Sequence, residues 1–113
     1  YNKPSIMIVC EANYSNAHGT PWVYRERGIG SIVGMPVPGT MTSVNWETLQ
    51  DASMYFGIPV VGYRTKDGKY LENTQLEPDL KVRNDYDQVI DGRDQQLEVA
   101  VKELLRQIDA RRR

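Results

Sequence analysis

The stretch Glu11-Ala-Asn-Tyr-Ser15-Asn-Ala-His18 places a serine and the chain's only histidine three positions apart, just after the apolar run Ser5-Ile-Met-Ile-Val-Cys10. A serine hydroxyl that loses its proton to an imidazole is a nucleophile for acyl groups. At the junction of a buried strand and a helix, Ser15 is held rigidly at the edge of a sheet. The unpaired N–H groups of the first helical turn, that of Asn16 foremost, are then available to a developing oxyanion. The same position also suits a helix-capping serine, and the pattern alone leaves cap and nucleophile both open. His18 is a poor match for the base. A base must reach the hydroxyl at about 3 Å and be oriented by a third group, and a histidine on the serine's own helix rarely aligns for that transfer. It reads as a surface or satisfied first-turn histidine, with substrate contact as the alternative.

Other reactive residues stand in weaker settings. Cys10, the single cysteine, cannot form an internal disulfide and reads as a small buried hydrophobe. No cluster of Cys, His and Asp stands at metal-ligand spacing, and neither a metal nor a cofactor is expected. Gly28-Ile-Gly30 is too short for a dinucleotide fingerprint. Gly34 to Gly39 lacks the lysine of a phosphate loop. Glu72, Glu77 and Asp79 put three carboxylates in eight residues, read as a solvated loop with turn-forming Asn and Asp. Tyr63, Tyr70 and Trp46 fit either a substrate rim or ordinary packing.

The 113 residues make at most one domain, with 40% hydrophobic and 26% charged side chains. Fourteen basic and fifteen acidic residues nearly cancel, which argues against a polyanionic partner. The tail Arg111-Arg112-Arg113 follows a helical pattern, where terminal cations complement the helix dipole, and no aromatics are interleaved for base stacking. No nucleic acid is expected. No run approaches the roughly 20 apolar residues of a membrane span. The opening Tyr1-Asn2-Lys3-Pro4 lacks a methionine and leads almost directly into a strand, so the chain is expected to be a piece of something longer, its compartment unreadable.

The elements that must position these groups alternate along the chain. Ser5–Cys10 reads as a buried strand, and a helix is expected from about Asn16 to Arg27, ended by Gly28 and Gly30. Pro21 suits a first turn better than an interior, so the alternative start of that helix lies several residues later. Ser31–Val33 is a short strand and residues 34–40 a Pro- and Gly-rich loop. Thr42–Trp46 and Met54–Phe56 read as strands. Ile58–Tyr63 and Tyr70–Glu72 read as arms of a hairpin turning at Asp67-Gly68. A short strand follows Glu77-Pro78-Asp79. A helix is expected from Gln95 to Ala110 with Asp94 as N-cap and Leu97, Ala100, Val101, Leu104, Leu105 and Ile108 on one face. The class is α/β.

Read together, Ile8-Val-Cys-Glu-Ala-Asn-Tyr-Ser15-Asn-Ala-His, Ile32-Val-Gly-Met-Pro-Val-Pro-Gly-Thr40, Tyr70-Leu-Glu-Asn73, Leu76-Glu-Pro-Asp79 and Gly92-Arg-Asp-Gln-Gln-Leu97 follow in an ordered series. The series resembles the tail-specific (C-terminal processing) serine protease family, in its tricorn-like branch, from about Lys3 to Ile108. The resemblance implies the C-terminal half of a catalytic domain with a ClpP- or crotonase-like core. It implies that Ser15 is the nucleophile, the Asn16 N–H an oxyanion donor and Glu72 the carboxylate that orients the catalytic group.

Two departures shape the expectation. Thr40 stands where the tail-specific branch proper carries its catalytic lysine, which excludes a serine–lysine dyad. The histidine of the tricorn-like branch and its second, glycine N–H oxyanion donor belong to an upstream segment of the same polypeptide, and His18 does not match that histidine. The chain alone is therefore expected to be inactive and, with apolar surface left open, to self-associate. Gly39, Thr40 and Trp46 are expected to shape a cleft for a peptide or protein substrate. Two other readings stand beside this one: a non-catalytic binding or scaffold module on the same fold, and acyl-CoA chemistry of the crotonase type.

Overall fold

The computed structural model describes residues 3–112; Arg113 of the basic tail lies outside them. Strand β1 (Ile6–Val9), helix α1 (Asn16–Glu26) and strand β2 (Ser31–Gly34) form a parallel β–α–β unit. Strand β5 (Leu80–Lys81) adds to β2, also parallel, giving the order β1-β2-β5 with β1 at one edge. Between β2 and β5 the chain makes an antiparallel hairpin, β3 (Thr42–Thr48) and β4 (Tyr55–Gly62), which forms a sheet of its own. A short helix α2 (Tyr86–Ile90), not expected from the sequence, precedes α3 (Gln95–Arg111). The architecture is α/β.

Register follows from close approach at Gly34, which pairs with Val9 and has φ +131°. A side chain there would meet the Val9 carbonyl oxygen at 1.9 Å, so only glycine lets the loop turn away at this point. The core gathers under the sheet from Val9, Tyr24, Ile32, Val37 and Leu76, with Met7 and Trp22 packed against it. Asp79 fastens the 77–80 segment to β2: its carboxylate accepts from the Ile32 N–H at 2.7 Å and its N–H donates to the Ile32 carbonyl at 2.8 Å. Arg25 of α1 reaches the same segment through Asp79 and the Glu77 carbonyl. The Asp79 carboxylate and the Glu77 carbonyl thus serve a tether rather than a free loop.

Four expectations are corrected. Helix α1 starts at Asn16 and carries Pro21 in its interior. The Ala17 carbonyl that Pro21 cannot satisfy is taken by the Asn13 side-chain amide at 3.1 Å, which offsets the missing backbone donor. The long hairpin turns at Leu49–Met54, not at Asp67-Gly68. The expected strands Met54–Phe56 and Ile58–Tyr63 merge into the single strand β4, Tyr55–Gly62, which pairs with β3 along its length. The Asp-Gly turn closes only the Arg64–Tyr70 bridge, with the Leu71 N–H donating to Tyr63. Strand β1 is less buried than its apolar composition suggests, since Ile8 is 40% exposed at the open edge. Finally, the apolar face of α3 is split. Asp94 caps the helix through the Leu97 N–H at 3.0 Å and Ala100 is buried, yet Leu97, Val101 and Leu105 face outward.

Candidate functional site

Ser15 sits between β1 and α1 with φ 54° and ψ −124°, a backbone conformation that costs a non-glycine residue about 1–3 kcal/mol. It is exposed, and its hydroxyl makes no capping hydrogen bond. What holds the strained backbone is a pair of ties. The Ser15 N–H donates to the Thr40 carbonyl at 2.7 Å, and the Ser15 carbonyl accepts from the N–H groups of His18 and Gly19 at 2.8 and 3.0 Å. Upstream, the Asn13 side chain accepts from the Cys10 N–H at 3.0 Å and from Cys10 Sγ at 3.2 Å while its amide holds Ala17. One side chain thus joins the strand end to the helix across the serine. Cys10 is half-buried and bonded there, not the plain core hydrophobe expected. In the first turn Ala17, His18 and Gly19 all donate to backbone carbonyls, whereas the exposed Asn16 N–H has no partner among the described residues.

Glu72 lies in a tight turn closed by the Thr74 N–H on the Leu71 carbonyl at 3.1 Å, with Asn73 at φ 57°. The Asn73 N–H donates to the Gly39 carbonyl at 2.5 Å, and a side chain on Gly39 would meet the Thr74 nitrogen at 2.2 Å. Glycine is required at 39 for this approach. One carboxylate oxygen, Oε2, accepts from Thr42 Oγ1 at 2.7 Å and from the Met41 N–H at 2.8 Å. These two donors hold the Glu72 pKa below the ordinary carboxylate range, so it is charged at neutral pH. Segment 39–42 therefore grips the serine on one side and the carboxylate on the other.

His18 is fully enclosed, which corrects the surface alternative. Its Nε2 accepts from Trp22 Nε1 at 3.1 Å, so in the neutral ring Nδ1 carries the proton and has no lone pair to offer a hydroxyl. Nδ1 itself makes no hydrogen bond. Burial pushes the imidazole pKa below its usual value, against the softer opposing influence of the Leu71 backbone, the Glu72 charge and the Thr74 backbone. A ring locked in this way is no base for Ser15.

An apolar cavity of about 480 Å³ opens along α1, bordered by Asn16, Met41, Val23, Tyr63 and Leu71. Its lining brings Asn16 and Met41 of the site together with Tyr63, but Trp46 is absent from it. The ring of Trp46 stands on β3 over Gly57, with Tyr55 5.3 Å away, and is 63% exposed. The structure thus gathers Ser15, Asn16, Gly39, Thr40 and Glu72 and leaves Trp46 on the hairpin. Thr42 and Met41, the donors to Glu72, were not singled out from sequence, because nothing in their spacing marks a hydroxyl and an amide that meet a carboxylate thirty residues on. Among the described residues no group of three or more His, Cys, Asp and Glu could hold a metal ion, and no helix is long and apolar enough to cross a membrane.

Residues 1–82 match peptidase family S41. The chain belongs to that family. It is 27% identical over 82 residues to the Chlamydia pneumoniae protein CPj1016/CpB1054, covering 71% of this chain and 13% of that one. In structure it is similar to the tricorn protease, with a TM-score of 0.83 at 19% identity over 92% of this chain and 10% of the other. It is also similar to mature CPAF, with a TM-score of 0.64 at 22% identity over 72% of this chain and 16% of the other. The chain thus spans a small fraction of the length of these relatives. Its fold is theirs, and family membership assigns it to a serine peptidase domain.

Proposed function

We propose that this chain is the C-terminal portion of a serine peptidase catalytic domain, and that Ser15 attacks the carbonyl of a peptide or protein substrate. The observation that carries the reading is Ser15 itself: a strained, exposed serine whose hydroxyl is not spent on capping the helix it introduces. The hydroxyl proton passes to a histidine supplied by an upstream segment of the same polypeptide, since His18 has no lone pair to receive it. Glu72, charged and with Oε1 free of hydrogen bonds from the described residues, orients that imidazole and stabilises it once protonated. The Asn16 N–H points one donor at the oxyanion, a second coming from upstream. Gly39 and Thr40 shape the cleft by fixing the loop that carries both ties. No cofactor takes part in this chemistry.

On this reading the 113 residues alone are inactive, since removing a base or nucleophile of such a triad costs about 10⁴–10⁶ in rate. A fluorophosphonate probe on the full-length protein and on this chain, each with Ser15→Ala as control, tests it. Labelling at Ser15 in the full-length protein and none in the short chain is expected. Labelling of the short chain would place the base within these residues. An unlabelled full-length protein that turns over no peptide would point to a binding module on a peptidase fold.

A further inference from the structure

Among the described residues Glu72 has two donors on one oxygen and none on the other, and only one of the two is a side chain. We propose that Thr42 is the positioning residue of the orienting carboxylate: its hydroxyl, paired with the Met41 N–H, pins Glu72 Oε2 so that Oε1 alone is presented to the imidazole. The inference rests on Glu72 serving as the orienting carboxylate.

The geometry is specific to this side chain. Thr42 opens β3 opposite Gly62, and the absent side chain of Gly62 leaves room for the Tyr70 ring, whose edge a Cβ would meet at 2.8 Å. The first residue of the hairpin and the turn that carries Glu72 are thus seated against each other through Tyr70. A β-branched residue has few χ1 choices, so holding the Thr42 hydroxyl on the carboxylate costs little side-chain freedom. With Oγ1 and the Met41 N–H at 2.7 and 2.8 Å from the same oxygen, the carboxyl group cannot turn about its last torsion without losing both bonds. The backbone of the turn is held separately, by Asn73 on Gly39 and by Thr74 Oγ1 on the Tyr70 carbonyl at 2.6 Å. Thr42 therefore controls the direction and charge of the carboxylate, and the turn keeps its shape without it.

Valine is the near-isostere that removes the donor, and serine keeps it. In the full-length protein, Thr42→Val is expected to lower kcat about tenfold, the scale on which outer hydrogen bonds to a functional group act, with KM unchanged. Since the Thr42 hydroxyl favours the charged form of Glu72, its loss raises that pKa, and the inflection that Glu72 adds to the acidic limb of the kcat/KM profile, below that of the imidazole, moves to higher pH. Thr42→Ser is expected to restore both rate and limb, and Thr42→Ala to behave as the valine variant should the valine pack badly. Glu72→Gln, run alongside, separates the two readings. If Glu72→Gln keeps full activity, the assignment of Glu72 as the orienting carboxylate fails. If Glu72→Gln is crippled while Thr42→Val and Thr42→Ala keep the parental rate and pH limb, or Thr42→Ser fails to rescue, Thr42 has no positioning role.

Discussion

The body of the molecule and its β3–β4 arm solve the same problem in opposite ways. In the body, β1, α1, β2 and the 71–76 segment enclose Ile32, Val37 and Leu76 completely, and loop 39–42 stitches the serine turn to the Glu72 turn by backbone bonds. The arm is held by its own ladder, with a register shift between Ser43 and Val44. It exposes Trp46, Tyr55, Phe56, Ile58, Val60 and Val61 on its surface. An isolated two-stranded hairpin is marginally stable in water. The difference teaches where rigidity has been placed: around the nucleophile and acid, while the apolar area that would make the arm rigid stays uncovered.

Truncation of matched side chains is the strongest way to break that contrast. Leu76→Ala, which empties a fully enclosed site, is expected to cost about 2–5 kcal/mol in urea unfolding of this chain. Phe56→Ala on the arm should stay within about 0.5 kcal/mol in the same experiment. Equal costs would mean that the arm is covered in solution, by a second copy or otherwise, and light scattering would then show an assembly. Next in size is Asn13→Ala, which unties strand from helix at Ser15. A loss of about 1 kcal/mol is expected, and hydrogen exchange at residues 15–19 should quicken while the arm is unchanged.

His18 sharpens the comparison through pH. Burial holds its folded-state pKa below the ordinary imidazole value of 6.5, so its contribution is complete above pH 6.5. That contribution is lost as the pH falls through the folded value, because the unfolded chain takes the proton first. Stability measured from pH 7.5 downward should therefore decline from about 6.5, and His18→Gln should remove that decline. The smallest effect belongs to α3. Glu103, with Arg106 and Gln107 bonded to its carboxylate, has its pKa held at about 2. Its share is present above the ordinary glutamate range and lost towards pH 2. Arg106→Ala should therefore lower stability slightly at neutral pH, leave it unaltered near pH 2, and so flatten the profile between those limits.

Much of this frame was legible in residue order. Apolar runs with Gly and Pro punctuation located β1, β2 and both long helices, because those signals are local. Ser15 was legible for the same reason, as a serine at a strand–helix junction. What escaped depends on partners distant in sequence. The Asp67-Gly68 turn has the right chemistry, yet β4 had already paired with β3. The face of α3 could be read for periodicity but not for coverage, and Leu97, Val101 and Leu105 repeat correctly while facing outward. Pro21 looked like a helix breaker because the amide that relieves it, on Asn13, lies outside the helix. Thr42 and the enclosed state of His18 belong to this group, since each is defined by a contact with the turn at residues 71–74.

Strand β1 occupies an edge of its sheet and runs directly into the serine turn. Side chains alternate along a strand at about 3.3 Å per residue, so one laid on that edge has only discrete alignments beside Ser15. A slip by one residue sends every side chain to the opposite face. Whether an incoming imidazole meets the hydroxyl would then be decided as a matter of phase, with every second alignment mute.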